Sequence, residues 1–164
     1  MIKIPVYQPS LSSKEKEYVI DCIDSSWISS KGSYIPRFEE SFASKVGVRH
    51  ATAVCNGTLA LHLSLISLGI GREDEVIVPT LTYIASVNAI AYTGATPVFV
   101  DSLRATWQID PDDVRRKITA KTRAIMVVHL YGHPCDMDAI MQIADEHNLF
   151  VIEDCAEAFG TLYK

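Results

Sequence analysis

The fold of this chain is decided by residues 75–101, EVIVPTLTYIASVNAIAYTGATPVFVD. The stretch begins with an apolar strand at 75–78 and continues with a mostly apolar helix at 83–92 that Gly94 ends. A second apolar strand follows at 97–100. Strands that are apolar throughout, separated by a helix, are typical of neighbouring parallel strands in a sheet covered on both faces. The stretch therefore predicts a parallel strand–helix–strand unit.

The same alternation continues on both sides of this unit. Ser12 and Glu15 have the spacing of a capping box, so a helix should begin near Ser13. Asp110 followed by Pro111 marks another helix start. The remaining predicted elements are a helix after Pro36 closed by Gly47, a strand at 51–55, a helix from 57 to about 68, a strand at 123–129, a helix at 137–147 and a strand at 149–153. Together these elements predict an α/β fold, a mostly parallel sheet with helices on both faces.

The composition is that of a globular protein and argues against several classes of function. Apolar residues make up 48% and charged residues 21% of the 164 residues, which argues against a disordered chain. Fifteen basic against 20 acidic residues give a net charge of −5, so nucleic acid and anionic membranes are not expected as partners. Four cysteines without CxxC spacing, and no signal-peptide pattern at 1–5, indicate buried free thiols in a cytoplasmic protein.

In open parallel sheets, ligands bind beyond the carboxyl ends of the strands. That rule selects five places in this chain as facing a site: residues 56–58, residues 80–83, Asp101, residues 129–133 and Asp154.

Asn56-Gly57-Thr58 lies between a predicted strand and a predicted helix. A helix start offers unpaired backbone N–H groups and a positive dipole end, which suit a phosphate. Gly57 would allow a close approach and Thr58 would add a hydroxyl donor. The alternative is an ordinary Asn-Gly turn. Neither GxGxxG nor a P-loop lysine is present, so the usual dinucleotide and nucleoside triphosphate sites are poorly supported.

Asp154 stands at the carboxyl end of the last predicted strand, where it could pair with a cationic ligand nitrogen or bind a metal. The alternative is an acid that caps the next turn or pairs with a structural arginine. Glu153 precedes it, and strand alternation places the two carboxylates on opposite faces, so they should not act as a catalytic pair.

Tyr83, at the start of its helix, could stack on a planar ring or could simply belong to the core.

His129 and His133 lie four residues apart at a strand end, which is not the helical spacing of an HExxH zinc site. We therefore predict no metal site, and no GxSxG elbow supports a serine triad.

Seven segments, in order along nearly the whole chain, resemble the DegT/DnrJ/StrS family of pyridoxal-phosphate-dependent sugar aminotransferases. The matching segments are 26–32 (SWISSKG), 38–39 (FE), 56–63 (NGTLALHL), 79–85 (PTLTYIA), 128–134 (VHLYGHP), 136–138 (DMD) and 152–158 (IEDCAEA). Seven segments in register are far more specific than any single motif.

The resemblance implies the fold type I architecture of these aminotransferases and the cofactor pyridoxal 5′-phosphate. By this resemblance Gly57 and Thr58 hold the cofactor phosphate, Tyr83 stacks on the pyridine ring, and Asp154 pairs with the ring nitrogen. A carboxylate there keeps the nitrogen protonated, which makes the cofactor an electron sink.

The resemblance also assigns positions around the ring hydroxyl and the substrate. Glu157 matches a position near the ring hydroxyl, where many relatives carry Gln. Trp27 and Ser29 match a loop near the sugar nucleotide. Phe159 stands where many relatives have His, which leaves the substrate preference open.

The family pattern further implies that residues 1–164 are the N-terminal part of the large, cofactor-binding domain. The Schiff-base lysine of the family, the rest of that domain and the small C-terminal domain are expected beyond Lys164, which does not itself match the lysine position. No residue is therefore assigned as catalytic, and the 164 residues alone are expected to be inactive.

The reaction implied by the family is transfer of an amino group, from glutamate, to a nucleotide-linked keto sugar. The motifs are most similar to those of members that aminate the 4-keto position of a GDP-linked 4-keto-6-deoxy sugar for O-antigen, and an intact enzyme would be a homodimer. Two alternatives stay open: a sugar 3-dehydratase on the same scaffold, and a non-catalytic truncated product or assembly module.

Overall fold

A computed structural model describes residues 8–164, so the expectation placed on residues 1–5 lies outside the described residues. The chain forms one compact unit up to Ala53 and a second from Val54. The helices are α1 (Ser13–Asp24), α2 (Tyr34–Val46), α3 (Gly57–Ser67), α4 (Ile84–Thr93), α5 (Pro111–Lys117) and α6 (Met137–His147). The strands are β1 (Glu75–Pro79), β2 (Thr96–Val100), β3 (Thr122–Val128) and β4 (Phe150–Asp154).

The first unit contains the helices α1 and α2. The predicted capping box is present: the Ser12 amide donates to Glu15 Oε2 at 2.7 Å, and the Lys14 amide donates to Ser12 Oγ at 3.2 Å. Helix α2 begins at Tyr34, before Pro36 rather than after it, because a proline is tolerated in the first turn, where amides have no partner inside the helix. Gly47 ends α2 with φ +79°, as predicted.

The second unit is built on one parallel sheet with the strand order β2-β1-β3-β4. Each of the three ladders is parallel, with Val76 opposite Pro97, Ile77 opposite Ile125, and Val128 opposite Asp154. The carboxyl ends of the strands therefore meet at one edge of the sheet.

Helices cover both faces of the sheet, as predicted. Side chains of α3 and α4 pack with Val76 and Val78 on one face, and side chains of α5 and α6 pack with Ile77 on the other. All three of these strand residues are fully buried. Burial on both faces explains why the strands are apolar without alternation.

The predicted strand at 51–55 is wrong. No strand of the described chain pairs with these residues, and a strand depends on a hydrogen-bonded partner more than on its own propensity.

The four cysteines are free, as expected, but only Cys135 is buried, whereas Cys55 and Cys155 are exposed.

Within residues 8–164, no helix is both long enough and apolar enough to cross a membrane.

Candidate functional site

The start of α3 offers an open place with unpaired backbone donors. The Asn56 side chain caps the helix by accepting the Leu59 amide at 3.0 Å, and the Asn56 carbonyl accepts the Ala60 amide. The amides of Gly57 and Thr58 have no acceptor in the part of the chain that the structure describes. A methyl group built on Gly57 would meet nothing within 4 Å, so its surroundings are open to a ligand.

Asp154 is a nearly buried carboxylate, 9% exposed, at the carboxyl end of β4. Its Oδ2 accepts the hydroxyl of Ser86 at 2.7 Å, and its Oδ1 accepts the Ala156 amide at 3.2 Å. Among residues 8–164 no cation pairs with it. A buried carboxylate is stable only when it is hydrogen-bonded or paired with a cation. Neutral donors stabilise Asp154 in the described chain, and its charge is therefore available to a positively charged group.

Ser86, on α4, is fully buried and orients Asp154. Its hydroxyl also lies 3.0 Å from the hydroxyl of Thr82. Since Ser86 donates its single proton to Asp154, the Thr82 hydroxyl has two acceptors within reach for its own proton, the Ser86 hydroxyl at 3.0 Å and the Tyr83 carbonyl at 3.3 Å. Ser86 is thus the hydroxyl that fixes the carboxylate from the α4 side of the sheet.

Tyr83 is the N-cap residue of α4 and has 77% of its surface exposed. It is therefore not a core residue, which was the alternative considered for it. Helix α3 packs against α4 and also contacts β4. The elements that carry Gly57, Tyr83 and Asp154 are thus direct neighbours.

Glu157 lies in the turn after β4 and accepts the Tyr131 amide on Oε2 at 2.7 Å. Tyr131 has φ +54° and Gly132 has φ +78°, so the turn after β3 is left-handed at both residues. A side chain at Gly132 would come within 3.3 Å of the Glu157 carbonyl. The tight turn brings the Tyr131 amide to the Glu157 carboxylate.

Trp27 and Ser29 lie in the first unit, on the loop between α1 and α2. Both are exposed, and both line a cavity of about 700 Å³ together with Tyr34 and Phe38. The cavity is lined mainly by apolar side chains of α1, α2 and this loop.

His129, Glu153 and Cys155 bring three possible metal-ligand atoms within 4.8 Å of one another. The Cys135 amide donates to His129 Nδ1 at 3.1 Å, so Nδ1 carries no proton and the neutral ring has its proton on Nε2. Nε2 then donates to Glu153 at 3.0 Å. A metal on Nε2 would require a proton on Nδ1, facing the Cys135 donor, so this geometry disfavours a metal site.

The bond from His129 also lowers the pKa of Glu153, against the opposing effect of partial burial. Glu153 and Asp154 thus have separate partners on the two faces of the sheet, as strand alternation predicts.

A family model matches residues 9–164, nearly all of the chain. The chain belongs to the DegT/DnrJ/EryC1/StrS aminotransferase family. The family resemblance drawn from the seven sequence segments is therefore confirmed.

Relatives with known names or structures agree with this assignment. GDP-perosamine synthase of Escherichia coli O157:H7 is 68% identical over 161 residues, which cover 98% of this chain and 44% of that protein. An aminotransferase structure from Psychrobacter cryohalolentis has a TM-score of 0.91 at 46% identity, over 94% of this chain and 40% of that one. NtdA of Bacillus subtilis, solved with bound cofactor PMP, has a TM-score of 0.85 at 34% identity, over 92% of this chain and 35% of that one.

Two residues near the family motifs escaped the sequence reasoning. Ser86 lies inside an apolar helix, and no motif marks it as the partner of Asp154. Gln108 is 3% exposed, and its side-chain amide bonds both the carbonyl and the amide of Leu130, each at 3.2 Å. A polar residue at an otherwise apolar position was the only available signal for either.

Proposed function

We propose that these 164 residues are the N-terminal part of the cofactor-binding domain of an aminotransferase that uses pyridoxal 5′-phosphate. The observation that carries the proposal is Asp154, a nearly buried carboxylate held by neutral donors without a cation in the described chain. The chain's membership of the aminotransferase family and the PMP bound to NtdA support pyridoxal 5′-phosphate as the cofactor. When bound, the cofactor supplies an electron sink that stabilises negative charge on the reacting carbon.

The phosphate of the cofactor would bind at the start of α3. The free amides of Gly57 and Thr58 would donate to its oxygens, and the positive end of the helix dipole favours its charge. The open space at Gly57 allows the close approach of a phosphate that a side chain would block.

The ring would be held by Asp154 and Tyr83. Asp154 would accept a hydrogen bond from the protonated ring nitrogen and keep the proton there, since a nearby carboxylate favours a positive group. Ser86 and Ala156 fix the orientation of this carboxylate. Tyr83, exposed at the head of α4, would stack on the ring.

Glu157 would lie near the ring hydroxyl. Its Oε2 already accepts the Tyr131 amide, so the other carboxylate oxygen remains for the ligand. The free carboxylate oxygen of Glu157 and the oxygen of the ring hydroxyl would compete for one proton, and the two groups would share it.

The substrate we propose is a nucleotide-linked 4-keto-6-deoxy sugar, with glutamate as the amino donor. The name of the E. coli relative, GDP-perosamine synthase, supports this choice. Trp27 and Ser29 would contact the sugar nucleotide. The proposal includes a cytoplasmic homodimer that supplies an amino sugar for O-antigen.

Titration with PMP tests the cofactor assignment. PMP carries the phosphate and the ring but no aldehyde, so it cannot react with surface lysines. Asp154→Asn should weaken PMP binding by about 10- to 100-fold, the range for losing one charged hydrogen bond. Asp145→Asn, which changes an exposed acid on α6, is the matched control and should bind as the unaltered chain does.

Equal affinity of Asp154→Asn and the control for PMP would contradict the assignment of Asp154. For the reaction, an intact enzyme that contains these residues, supplied with cofactor, GDP-4-keto-6-deoxymannose and ¹⁵N-glutamate, should yield ¹⁵N-labelled amino sugar by mass spectrometry, whereas the 164 residues alone should yield none. Loss of water from the sugar without label would favour the dehydratase alternative instead.

A further inference from the structure

A second cavity, of about 540 Å³, opens where β1 and β2 end. This volume is in the range of small-molecule sites. Leu81 in its wall is two residues from Tyr83, and the Trp107 ring lies 6.4 Å from the ring of Tyr131, whose amide bonds Glu157. The cavity therefore opens beside the proposed cofactor site, on the same edge of the sheet.

Trp107 presents its ring in this cavity from a left-handed backbone. Its φ is +65°, a conformation that residues with bulky side chains rarely adopt, and 57% of its surface is exposed. Two hydrogen bonds hold the turn: the Trp107 amide donates to the Leu103 carbonyl at 2.7 Å, and the Leu103 amide donates to the Gln108 carbonyl at 2.8 Å. An exposed aromatic face, fixed by its turn, suits a planar ligand.

The wall also carries an unpaired acid and an unpaired base. Asp101 and Arg104 both line the cavity, and neither forms an ion pair within residues 8–164. Asp101 Oδ1 accepts the Ser102 amide at 2.8 Å, which leaves Oδ2 free in the described chain. The Ser102 hydroxyl oxygen is buried and has no partner among those residues.

This set of groups matches a base better than a phosphate. A carboxylate in the wall repels an anion, whereas guanine presents two adjacent N–H donors on one edge and the acceptors O6 and N7 on the next. A carboxylate accepts the paired donors, a guanidinium donates to O6 and N7, and an indole stacks on the ring. Adenine and the pyrimidines lack the two adjacent donors.

We propose that this cavity is the nucleobase subsite for a guanine nucleotide, with Asp101 as the residue that selects the base. Asp101 accepts the two N–H groups of guanine, Arg104 donates to its acceptor edge, and Trp107 stacks on its face. This inference rests on the proposed function, because it assigns a part of the nucleotide-linked substrate to a place beside the cofactor.

Calorimetric titrations of the full chain with GDP, IDP, ADP and UDP test the subsite. GDP should bind most tightly, and IDP, which lacks the amino donor, should bind more weakly. Asp101→Asn should lose about tenfold or more in GDP affinity and gain affinity for XDP, because the carboxamide can donate to the carbonyl that replaces the amino group. Asp145→Asn is the matched control and should keep the original order.

Trp107→Leu should weaken every nucleotide to a similar extent, because stacking does not distinguish the bases strongly. PMP affinity should remain unchanged in both variants. Binding of GDP no tighter than ADP or UDP would overturn the inference, and so would a loss of GDP affinity in Asp101→Asn without a gain for XDP.

The PMP titration separates the two proposals. Normal PMP binding with no GDP preference contradicts the subsite and leaves the cofactor assignment standing. A guanine-to-xanthine switch without PMP binding supports the subsite and contradicts the cofactor assignment.

Discussion

Replacing Ser86 with alanine tests the most buried contact of the candidate site. Ser86 is fully buried, and its hydroxyl donates to Asp154 at 2.7 Å. Alanine removes one oxygen atom and leaves Oδ2 of Asp154 without a donor in the described chain. A hydrogen bond to a charged group contributes about 1.5–3 kcal/mol, so Ser86→Ala should lower the free energy of unfolding by about 2 kcal/mol.

The assay is thermal unfolding at pH 7, followed by circular dichroism. For a chain of this length, a loss of about 2 kcal/mol corresponds to a fall in Tm of about 4–8 °C. If Asp154 receives the ring nitrogen as proposed, PMP should also bind more weakly to the variant, because that carboxylate is no longer oriented from the α4 side.

Ser67→Ala is the matched control, because Ser67 is exposed on α3 and its hydroxyl donates to the Ser64 carbonyl at 2.8 Å. It should change the stability by less than about 0.5 kcal/mol, as surface substitutions usually do. Equal Tm values for the two variants would refute the reasoning that the contact of Ser86 with Asp154 stabilises the fold.

Two further substitutions test contacts in the second unit. Gln108→Leu leaves the buried amide of Leu130 without an acceptor, while the Leu130 carbonyl keeps the His133 amide as a donor. Urea unfolding should therefore show a loss of about 1–3 kcal/mol, and a loss below about 0.5 kcal/mol would contradict this role. The Asp101 amide donates to Asp113 Oδ2 at 2.8 Å, and this hydrogen bond is the main reason why the pKa of the buried Asp113 lies below its usual range. A second hydrogen bond, from the Arg116 side chain, lowers this pKa further. A depressed folded-state pKa stabilises above the unfolded pKa, about 4, and this stability is lost as the pH falls through the folded value. Asp113→Asn should therefore be less stable at pH 7, by about 1 kcal/mol, and the difference should close below about pH 4; a constant difference from pH 7 to 3 would argue against this.

Local signals in the sequence predicted most of the elements. The capping box at Ser12 and Asp110 followed by Pro111 placed two helix starts, because caps and proline act within one turn. Continuous apolar runs placed the four strands of the sheet. The strand expected at 51–55 failed, since its formation depends on a partner that no local pattern encodes.

The candidate site divides in the same way. Tyr83 and Asp154 were proposed because they lie at or just beyond strand ends, and the topology of a parallel sheet brings such positions to one edge. Gly57 was proposed from a strand that the structure does not contain, so its proposed role depends on the start of α3 alone. Ser86 and Gln108 were missed because their partners are 68 and 22 residues away, and their roles exist only after the chain has folded.

Two hydrogen bonds join the Gln108 side chain to Leu130, and they have a consequence for altering the proposed nucleotide selectivity. They join the turn at 103–107 to the turn after β3 through one side chain, much as a neighbouring strand would. The length of this turn is therefore constrained, and so is Thr106, whose Oγ1 accepts the Gln108 amide at 3.3 Å. The exposed side chains of Arg104 and Trp107 form no hydrogen bond in the described chain. Enzyme engineers could therefore exchange these two side chains within a turn of fixed length and screen for changes in the proposed nucleotide preference, without touching the residues proposed to hold the cofactor.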